Sequence, residues 1–368
     1  MTSFADLTTM HVGGPIPDYH QYSSTSSLVA GAKKIWKEDK PWLALGSGSN
    51  LVVSDVECDF AVMHIQTRGV TVKKAVGQKV IIHAEAGEDW DGFVAHTLSQ
   101  GVRGLETLSG IPGTVGASIV QNVGAYGAEI SDTVVSIDFL DYPSASRRTI
   151  LAGDLELALR TSAIKTGKLN GLVLGVTFSL EPSEDGTSIP MLYDQLAGAL
   201  GIEVGMRAPL AQVRDTVLAL RSSKGMVLSQ SDPDSVSSGS FFLNPVVSEK
   251  VAFGLPTDAP RWLVGPEPQD VVISLDGPAG EKIPALDSSE AWMKLSAAWL
   301  IEYSGISKGF ALPGSKAAIS SKHALAITNR GGASADDIAE LARYVITTVG
   351  NATGIYLVPE PTLIGLEV

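Results

Sequence analysis

Cysteine and positive charge are what this sequence lacks most clearly. Cys58 is the single cysteine, so the chain forms neither an internal disulfide nor a cysteine-based zinc site, and a reducing compartment fits. Lys and Arg number 27 against 40 Asp and Glu, which gives a net charge of −13. Neutralised phosphates supply most nucleic-acid affinity, so this balance argues against a general nucleic-acid binder. A small anionic ligand stays possible, because a few local cations and backbone N–H groups suffice for it.

Long apolar runs and metal-ligand patterns are missing as well. The sequence contains no stretch of about 18 apolar residues, so no transmembrane helix is expected. Residues 1–14 lack a basic stretch followed by an apolar one, so no signal peptide is expected. The histidines have no paired metal-ligand spacing, which predicts no metal site. They are His11, His20, His64, His83, His96 and His323.

Glycine, by contrast, is abundant, with 38 glycines among 368 residues. At roughly 150 residues per domain, the length predicts two to three domains. An apolar share of 44% with 18% charged residues is typical of a globular chain and excludes a largely disordered one.

Hydrophobic periodicity predicts a mixture of strands and helices, an α+β pattern. Helical spacing is found over residues 90–98, 292–300 and 334–349, the last with Ser334 as its predicted N-cap. Residues 226–240 are polar and turn-rich, which predicts a mobile lid or domain boundary. Strands are predicted at Lys79–Ala84, Val134–Leu140 and Leu172–Phe178.

Two glycine-rich segments are candidate ligand loops. The first, GSGSN at 46–50, interrupts an apolar run, and its glycines allow backbone N–H groups to approach a pyrophosphate closely. It is neither a P-loop nor a dinucleotide fingerprint, and an ordinary strand-connecting loop is the simpler interpretation of it alone. The second, at 108–127, has several glycines and almost no charge, which fits either a bound planar polar ligand or a tightly packed turn.

Three further residues are candidates for chemistry, each with a plain alternative. Ser240 has a glycine before it and two aromatic residues after it, so its hydroxyl can face a pocket, although a loop entering a strand explains the pattern equally. Arg160 reads as a surface arginine at a strand end. Glu360 lies between two prolines, which fix the backbone around its carboxylate or simply form a rigid turn.

Taken together, these motifs resemble the UDP-N-acetylenolpyruvoylglucosamine reductase family. They occur in the family's order over nearly the whole chain, and the segment at 104–133 is very specific. The matching segments are TTMHVGG (8–14), LGSGSNLVVSD (45–55), GLETLSGIPGTVGASIVQNVGAYGAEISDT (104–133), GSFFLNPVV (239–247), KLSAAWLIEYSG (294–305) and PEPTLIG (359–365).

The resemblance implies an α+β fold with a two-lobed FAD-binding domain of the vanillyl-alcohol-oxidase/PCMH type and a third, α/β, substrate-binding domain. The lobes are expected at residues 1–70 and 71–228, with 356–368 returning to the second lobe, and the substrate-binding domain at 229–355. The loop at 46–51 holds no histidine that could tether a flavin, so FAD is expected to be bound non-covalently.

The implied activity is the NADPH-dependent reduction of UDP-N-acetylglucosamine enolpyruvate to UDP-N-acetylmuramate, a step of peptidoglycan precursor synthesis. Ser240 matches the family's proton donor, and Arg160 and Glu360 match the pair that supports the enolpyruvyl group. Tyr193 resembles the tyrosine loop of the family's longer branch, and Lys224 and Asn244 match positions near the substrate. The residues matched to the flavin are Gly46, Ser47, Gly48, Ser49, Asn50, Leu51, Ile111, Gly113, Gly116, Ala117, Gly124 and Tyr126.

The sequence departs from the family pattern in places. Leu159 replaces the usual tyrosine before the arginine, and Ser320 and His323 replace a common histidine and glutamine. Residues 250–290 match no family motif.

Two other functions remain open at this point. A flavin oxidase of the same superfamily and a non-catalytic nucleotide-sugar sensor each fit the glycine loops. The chain is expected to be a cytoplasmic monomer without membrane insertion or nucleic-acid partner.

Overall fold

The computed structural model describes residues 1–76, 79–264 and 291–368. Its strands alternate with helices along the chain. In order, the strands are β1 (Tyr19–Tyr22), β2 (Trp42–Leu45), β3 (Leu51–Val53), β4 (Ala61–Ile65), β5 (Val70–Val76), β6 (Lys79–Glu85), β7 (Val102–Arg103), β8 (Gly124–Ala125), β9 (Ala128–Glu129), β10 (Val134–Asp141), β11 (Arg147–Leu151), β12 (Gly171–Pro182), β13 (Val246–Ser248), β14 (Arg261–Val264), β15 (Trp292–Leu295), β16 (Ala317–Ile319), β17 (Ile327–Asn329) and β18 (Thr362–Ile364).

The helices begin where short polar side chains accept hydrogen bonds from the first turn, as Ser24, Asp89, Thr114 and Ser334 do. The helices are α1 (Phe4–Leu7), α2 (Thr25–Lys37), α3 (Trp90–Ser99), α4 (Val115–Val120), α5 (Asp194–Leu200), α6 (Leu210–Ser223), α7 (Glu249–Phe253), α8 (Ala297–Tyr303) and α9 (Ala335–Thr353).

The first part of the chain forms a small parallel sheet in the order β1-β4-β2. All five residues of β4 are buried, as expected for the central strand of a parallel sheet covered on both faces. Leu28, Ala32 and Ile35 on one face of α2 are buried in the same core as Met63 of β4. Strand β2 of this packed sheet leads directly into the glycine loop at 46–50, so the packing of the sheet fixes where the loop begins.

The middle of the chain forms an antiparallel sheet in the order β11-β10-β12-β6-β5, with β7 paired to β12. The long central strand β12 is buried along most of its length. Trp90 and Phe93 of α3 pack with Phe178 of β12 in an aromatic cluster. The predicted strands at 79–84, 134–140 and 172–178 and the helix at 90–98 are confirmed here.

The last third of the chain has a core of its own. It consists of the sheet β13-β15-β14, the pair β16-β17, and the helices α8 and α9. Helix α9 buries one face at i, i+3 and i+7 spacing: Ile338, Leu341 and Val345 are each fully buried. A reciprocal bond between Ser334 and Asp337 closes its first turn, so the predicted N-cap is confirmed.

The C-terminal strand leaves this core and returns to the beginning of the chain. β18 pairs in parallel with β3, aligning Thr362 with Leu51. That partner lies within residues 1–70, whereas residues 356–368 are expected from the family resemblance to return to residues 71–228. Glu360, just before the strand, is the residue that reaches the 71–228 segment.

Two local predictions were wrong. Residues 292–295 are strand β15 rather than the start of a helix, because their side chains alternate between exposed and buried when the strand pairs with β13 and β14. Of the two alternatives predicted for 226–240, the mobile lid is contradicted by the anchoring of Asp234, and the domain boundary stays a prediction. Asp234 is 3% exposed, and its carboxylate accepts bonds from the Ser321 backbone and hydroxyl at 2.8 and 2.6 Å. Asp234 therefore anchors this segment to residues that lie far along the chain. Of the unmatched segment 250–290, residues 265–290 lie outside the described residues.

Candidate active site

The loop at 46–50 joins β2 to β3 and forms one wall of a cavity of about 380 Å³. Gly48 has φ +62°, and a Cβ there would overlap the carbonyl oxygen of Leu7 and lie 2.9 Å from Thr8 Cα. Gly46 faces Thr114, whose Oγ1 would be 2.7 Å from an added Cβ. Glycine is therefore required at both positions by close contacts within the fold.

The opposite wall is the start of α4 and the turn before it. Ser49 Oγ donates to the Pro112 carbonyl oxygen at 2.9 Å, which ties the two walls together. Thr114 caps α4, and its side chain accepts from Ala117 N. Gly113 has φ +154° with only Ser49 Oγ, at 3.6 Å, near an added Cβ, so its face stays open toward the cavity.

Two hydroxyl groups on the cavity wall are buried and have no hydrogen-bond partner among the residues that the structure describes. They belong to Ser47 and Ser238. A buried unpaired hydroxyl costs about 1–3 kcal/mol, so each calls for a partner from a bound molecule. A polar ligand with phosphate and ring acceptor groups, as FAD is, meets this need, and the glycine walls leave room for it.

Arg160 and Glu360 meet at one end of the cavity. Arg160 Nε lies 3.1 Å from Glu360 Oε1, and an Nη of the same guanidinium donates to the Gly124 carbonyl oxygen at 2.9 Å. The two side chains come from distant segments, the turn after β11 and the strand return before β18. The arginine that sequence alone reads as a surface residue is thus 27% exposed and faces the cavity.

Glu360 is held by backbone contacts beside Ser240. Glu360 N donates to the Phe241 carbonyl oxygen at 2.8 Å, and Phe242 forms an isolated antiparallel β-bridge with Pro359. This pairing brings Ser240 and Glu360 to the same cavity wall. Burial raises the pKa of Glu360, although the nearby Arg160 and Lys165 pull it down.

The cavity is more positive than the chain as a whole. Among the described residues that line it, three are cations and one is a carboxylate: Arg160, Lys165 and Arg221 against Glu360. Burial lowers the pKa of Arg221, whose Nε donates to the Gly110 carbonyl oxygen at 3.2 Å. Lys165 and Arg221 were not singled out from the sequence, because an isolated basic residue carries no motif.

Most of the sequence-predicted residues do line this cavity, and a few lie outside its wall. Those on the wall are Gly46, Ser47, Gly48, Ser49, Asn50, Leu51, Ile111, Gly113, Ala117, Gly124, Arg160, Ser240 and Glu360. Those off the wall are Gly116, Tyr126, Tyr193, Lys224 and Asn244.

The residues off the wall have other contacts. Gly116 N donates to the Ala86 carbonyl oxygen at 2.8 Å, so this glycine allows close packing of α4. Tyr126 and Tyr193 pack edge to face with centroids 5.9 Å apart. 

Lys224 and Asn244 are each engaged by a neighbouring helix. Lys224 Nζ donates to Gln195 Oε1 at 3.1 Å, and Asn244 Oδ1 accepts from Ala297 N at 3.0 Å.

The three departures from the family pattern differ in their surroundings, since Leu159 is exposed whereas Ser320 is buried. Leu159 is 58% exposed, so the usual tyrosine there is not needed for packing. Ser320 Oγ accepts from the backbone of Lys322 and His323, which completes a local turn. Burial and nearby lysines lower the pKa of His323 to about 4, so this histidine is neutral at pH 7.

The described parts of the chain contain neither a candidate metal site nor a candidate membrane-spanning helix. No group of three or more His, Cys, Asp or Glu side chains in residues 1–76, 79–264 and 291–368 is placed to hold an ion. Within the same ranges, no helix has the length and apolarity needed to cross a bilayer.

The class of the protein follows from its fold and a family profile. Residues 19–149, which contain both glycine-rich walls, match the FAD binding domain family. The predicted fold class, α+β with an FAD-binding domain, is confirmed. The molecule is an FAD-dependent oxidoreductase.

The family is shown by relatives aligned along nearly the whole chain. UDP-N-acetylenolpyruvoylglucosamine reductase of Leifsonia xyli is 48% identical over 98% of this chain and 97% of the relative. The enzyme of the same name from Saccharopolyspora erythraea is 42% identical over 99% of this chain and 94% of its own length. Residues 232–364 also match the C-terminal domain of that reductase. The chain belongs to the UDP-N-acetylenolpyruvoylglucosamine reductase family.

A solved structure agrees with the fold. The crystal structure of UDP-N-acetylenolpyruvylglucosamine reductase from Thermus caldophilus superposes with a TM-score of 0.61 at 22% identity. The alignment covers 99% of this chain and 97% of the other.

Proposed function

We propose that Ser240, Arg160 and Glu360 carry out the reduction of the enolpyruvyl group in the cavity between the two glycine-rich walls. The enzyme reduces UDP-N-acetylglucosamine enolpyruvate to UDP-N-acetylmuramate with FAD, a step of peptidoglycan precursor synthesis. The single observation that carries the residue assignment is that these three side chains, from three distant segments, line one cavity with excess positive charge.

FAD is assigned to the two walls, with the hydroxyls of Ser47 and Ser238 and the open face at Gly113 as its partners. When bound, FAD supplies the hydride that it has received from NADPH. The glycine-rich walls would hold the bound cofactor rigidly, and such pre-organisation favours hydride transfer.

Arg160 stabilises the charge that develops on the substrate. As C3 of the enolpyruvyl group gains a hydride, negative charge builds at C2 and spreads into the carboxylate. A guanidinium is always cationic and binds a carboxylate through two parallel hydrogen bonds. Its contact with Glu360 orients it, and Arg221 and Lys165 add positive potential at the same wall.

Ser240 supplies the proton that completes the reaction. C2 in its enolate form is a strong base, so a positioned hydroxyl is a sufficient acid. The C=C bond becomes a single bond, with the hydride on C3 and the proton on C2, and NADPH leaves as NADP⁺. Glu360 is held beside Ser240 by the backbone bond to Phe241, and its carboxylate orients the Arg160 guanidinium, which lies 3.1 Å away.

The domain roles follow from the same assignment. Residues 1–70 and 71–228 form the flavin lobes, and 229–355 form the substrate-binding domain. Tyr193, Lys224 and Asn244 lie off the cavity wall and are assigned to the nucleotide portion of the substrate or to the nicotinamide cofactor. We further propose a monomer that acts in the cytoplasm and so supports cell-wall growth, cell shape and division.

An anaerobic flavin titration tests this function. The purified protein is reduced with NADPH in the absence of oxygen, and UDP-N-acetylglucosamine enolpyruvate is then added. Reoxidation of the flavin with formation of the lactyl ether is expected, while UDP-N-acetylglucosamine, which lacks the enolpyruvyl group, leaves the flavin reduced. Reoxidation only on admission of air would favour an oxidase instead, and a protein that retains no flavin would contradict the assignment of both walls.

A further inference from the structure

Arg160 lies at the tip of a very tight turn. Ala158 and Thr161 pair through two backbone hydrogen bonds of 3.2 and 3.1 Å, which leaves Leu159 and Arg160 as the two connecting residues. Arg160 has φ +54°, in the left-handed region that the third position of such a turn ordinarily fills with glycine. A long side chain held there is strained, and strain of this kind persists only where the surroundings enforce it.

Lys165 is the group that contacts this strained backbone. Its Nζ donates to the Arg160 carbonyl oxygen at 3.1 Å, and its side chain lines the cavity. The chain between the two residues is fixed by Ser162, whose Oγ accepts from Lys165 N at 3.1 Å and donates to the Val120 carbonyl oxygen at 2.5 Å.

Lys165 is placed in this way at an electrostatic cost. Burial lowers the pKa of Lys165, Glu360 raises it, and Arg160 lowers it further. By contrast, Lys168, three residues on, points to solvent and pairs with Glu156. A lysine side chain that stays beside a second cation at a cavity wall, although it could extend into solvent as Lys168 does, indicates a role at that wall.

We propose that Lys165 is a positioning residue for reduction of the enolpyruvyl group, fixing the left-handed turn so that the Arg160 guanidinium enters the cavity aligned with Glu360. This inference rests on the proposed function of Arg160. Without the lysine, the turn relaxes and the guanidinium loses its alignment with Glu360 and Gly124. Since a displacement of about 1 Å can lower a rate by about 10²-fold, the effect falls on the step that Arg160 serves.

The test separates the two half-reactions by flavin absorbance under anaerobic conditions. In Lys165→Met, reoxidation by UDP-N-acetylglucosamine enolpyruvate is expected to slow by about ten-fold or more, while flavin reduction by NADPH stays within about two-fold of wild type. Lys165→Arg, which keeps the charge and the donor, is expected to restore reoxidation to within about three-fold. Lys168→Met serves as the matched control and leaves both rates unchanged.

Calorimetric binding of the substrate to the oxidised protein gives a second readout. The positioning role predicts that the dissociation constant in Lys165→Met rises by a smaller factor than the reoxidation rate falls, because a misaligned Arg160 keeps part of its contact with the substrate carboxylate. Weaker binding that accounts for the whole rate loss would overturn the proposal, as would an equal loss in both half-reactions or a Lys165→Arg variant no better than Lys165→Met. If the substrate does not reoxidise the wild-type flavin, the proposed function fails. If the substrate reoxidises wild type and Lys165→Met at the same rate, only the inference about Lys165 fails.

Discussion

Among the cavity segments with left-handed backbone conformations, the loop at 46–50 and the turn at 158–161 use different residues for it. The loop at 46–50 places glycine at its left-handed position, Gly48, where an added Cβ would meet the backbone of Leu7 and Thr8. The turn at 158–161 places Arg160 there, with φ +54°. Glycine is free to adopt this conformation, whereas other residues incur about 1–3 kcal/mol.

This difference corresponds to two roles: the loop at 46–50 shapes the cavity, and the turn at 158–161 presents a side chain to it. The glycine loop only has to bring backbone close to a ligand, so a residue without a side chain suits it. The turn has to deliver a guanidinium, so it keeps a strained residue, and Glu360, the Gly124 carbonyl and Lys165 hold it in place. Substitutions at the two left-handed positions are therefore expected to have opposite profiles.

Of the substitutions that test this comparison, Arg160→Gly is expected to have the largest effect on rate. Loss of one group that stabilises developing charge lowers a rate by about 10²–10³-fold, so reoxidation by the substrate falls by that factor. The free energy of unfolding changes by less than about 1 kcal/mol, because relief of strain offsets the lost ion pair. Stopped-flow reoxidation and denaturant unfolding measure the two quantities. A loss of several kcal/mol in stability would show that the turn is structural rather than catalytic.

Gly48→Ala tests the scaffold side and gives the reverse profile. The new Cβ overlaps the Leu7 carbonyl, which costs about 1–3 kcal/mol and displaces the loop, so flavin content and both half-reactions fall together. Flavin absorbance per protein and thermal unfolding are the measurements. Gly314→Ala is the matched control, since Gly314 has φ +81° with no atom within 4 Å of an added Cβ. Full flavin retention in Gly48→Ala would contradict the scaffold role.

The smallest effect concerns pH and the partner of Arg160. Because burial raises the pKa of Glu360 above its usual 4.5, the folded state holds this proton more tightly than the unfolded state. Its contribution to stability is then full at low pH and is lost as the pH rises from about 4.5 through the folded-state pKa. Glu360→Gln is expected to remove this decline. The free energy of unfolding of wild type and of Glu360→Gln, measured across that pH range, tests the direction of this change. A wild type that gains stability relative to Glu360→Gln as the pH rises would contradict it.

Both glycine-rich segments singled out from the sequence line the cavity, and their role in binding flavin stays a prediction. Glycines 46, 48 and 113 are visible in the sequence because they lie in short glycine-rich segments, although the atoms that an added Cβ would meet belong to distant residues. The meeting of Arg160 with Glu360 depends on β18 pairing with β3, across about the whole length of the chain, and only the family resemblance anticipated it.

Lys165 and the 226–240 segment show where local patterns fail. Lys165 matters because of a contact with the Arg160 carbonyl, which leaves no mark in composition. The polar residues at 226–240 indicated mobility, but Asp234 has partners in Ser321 and Arg330 that lie far along the chain. Tertiary contacts decide whether a polar segment is buried or free.

The central claim is that Ser240 donates the proton that completes reduction at the wall shared with Arg160 and Glu360. The most direct test is the anaerobic rate of each half-reaction in Ser240→Ala, with the exposed Ser231→Ala on the same segment as control. The account predicts flavin reduction by NADPH near the wild-type rate and reoxidation by the enolpyruvyl substrate slowed by about 10²–10⁴-fold, the usual contribution of a general acid. Reoxidation of Ser240→Ala at the wild-type rate would contradict it.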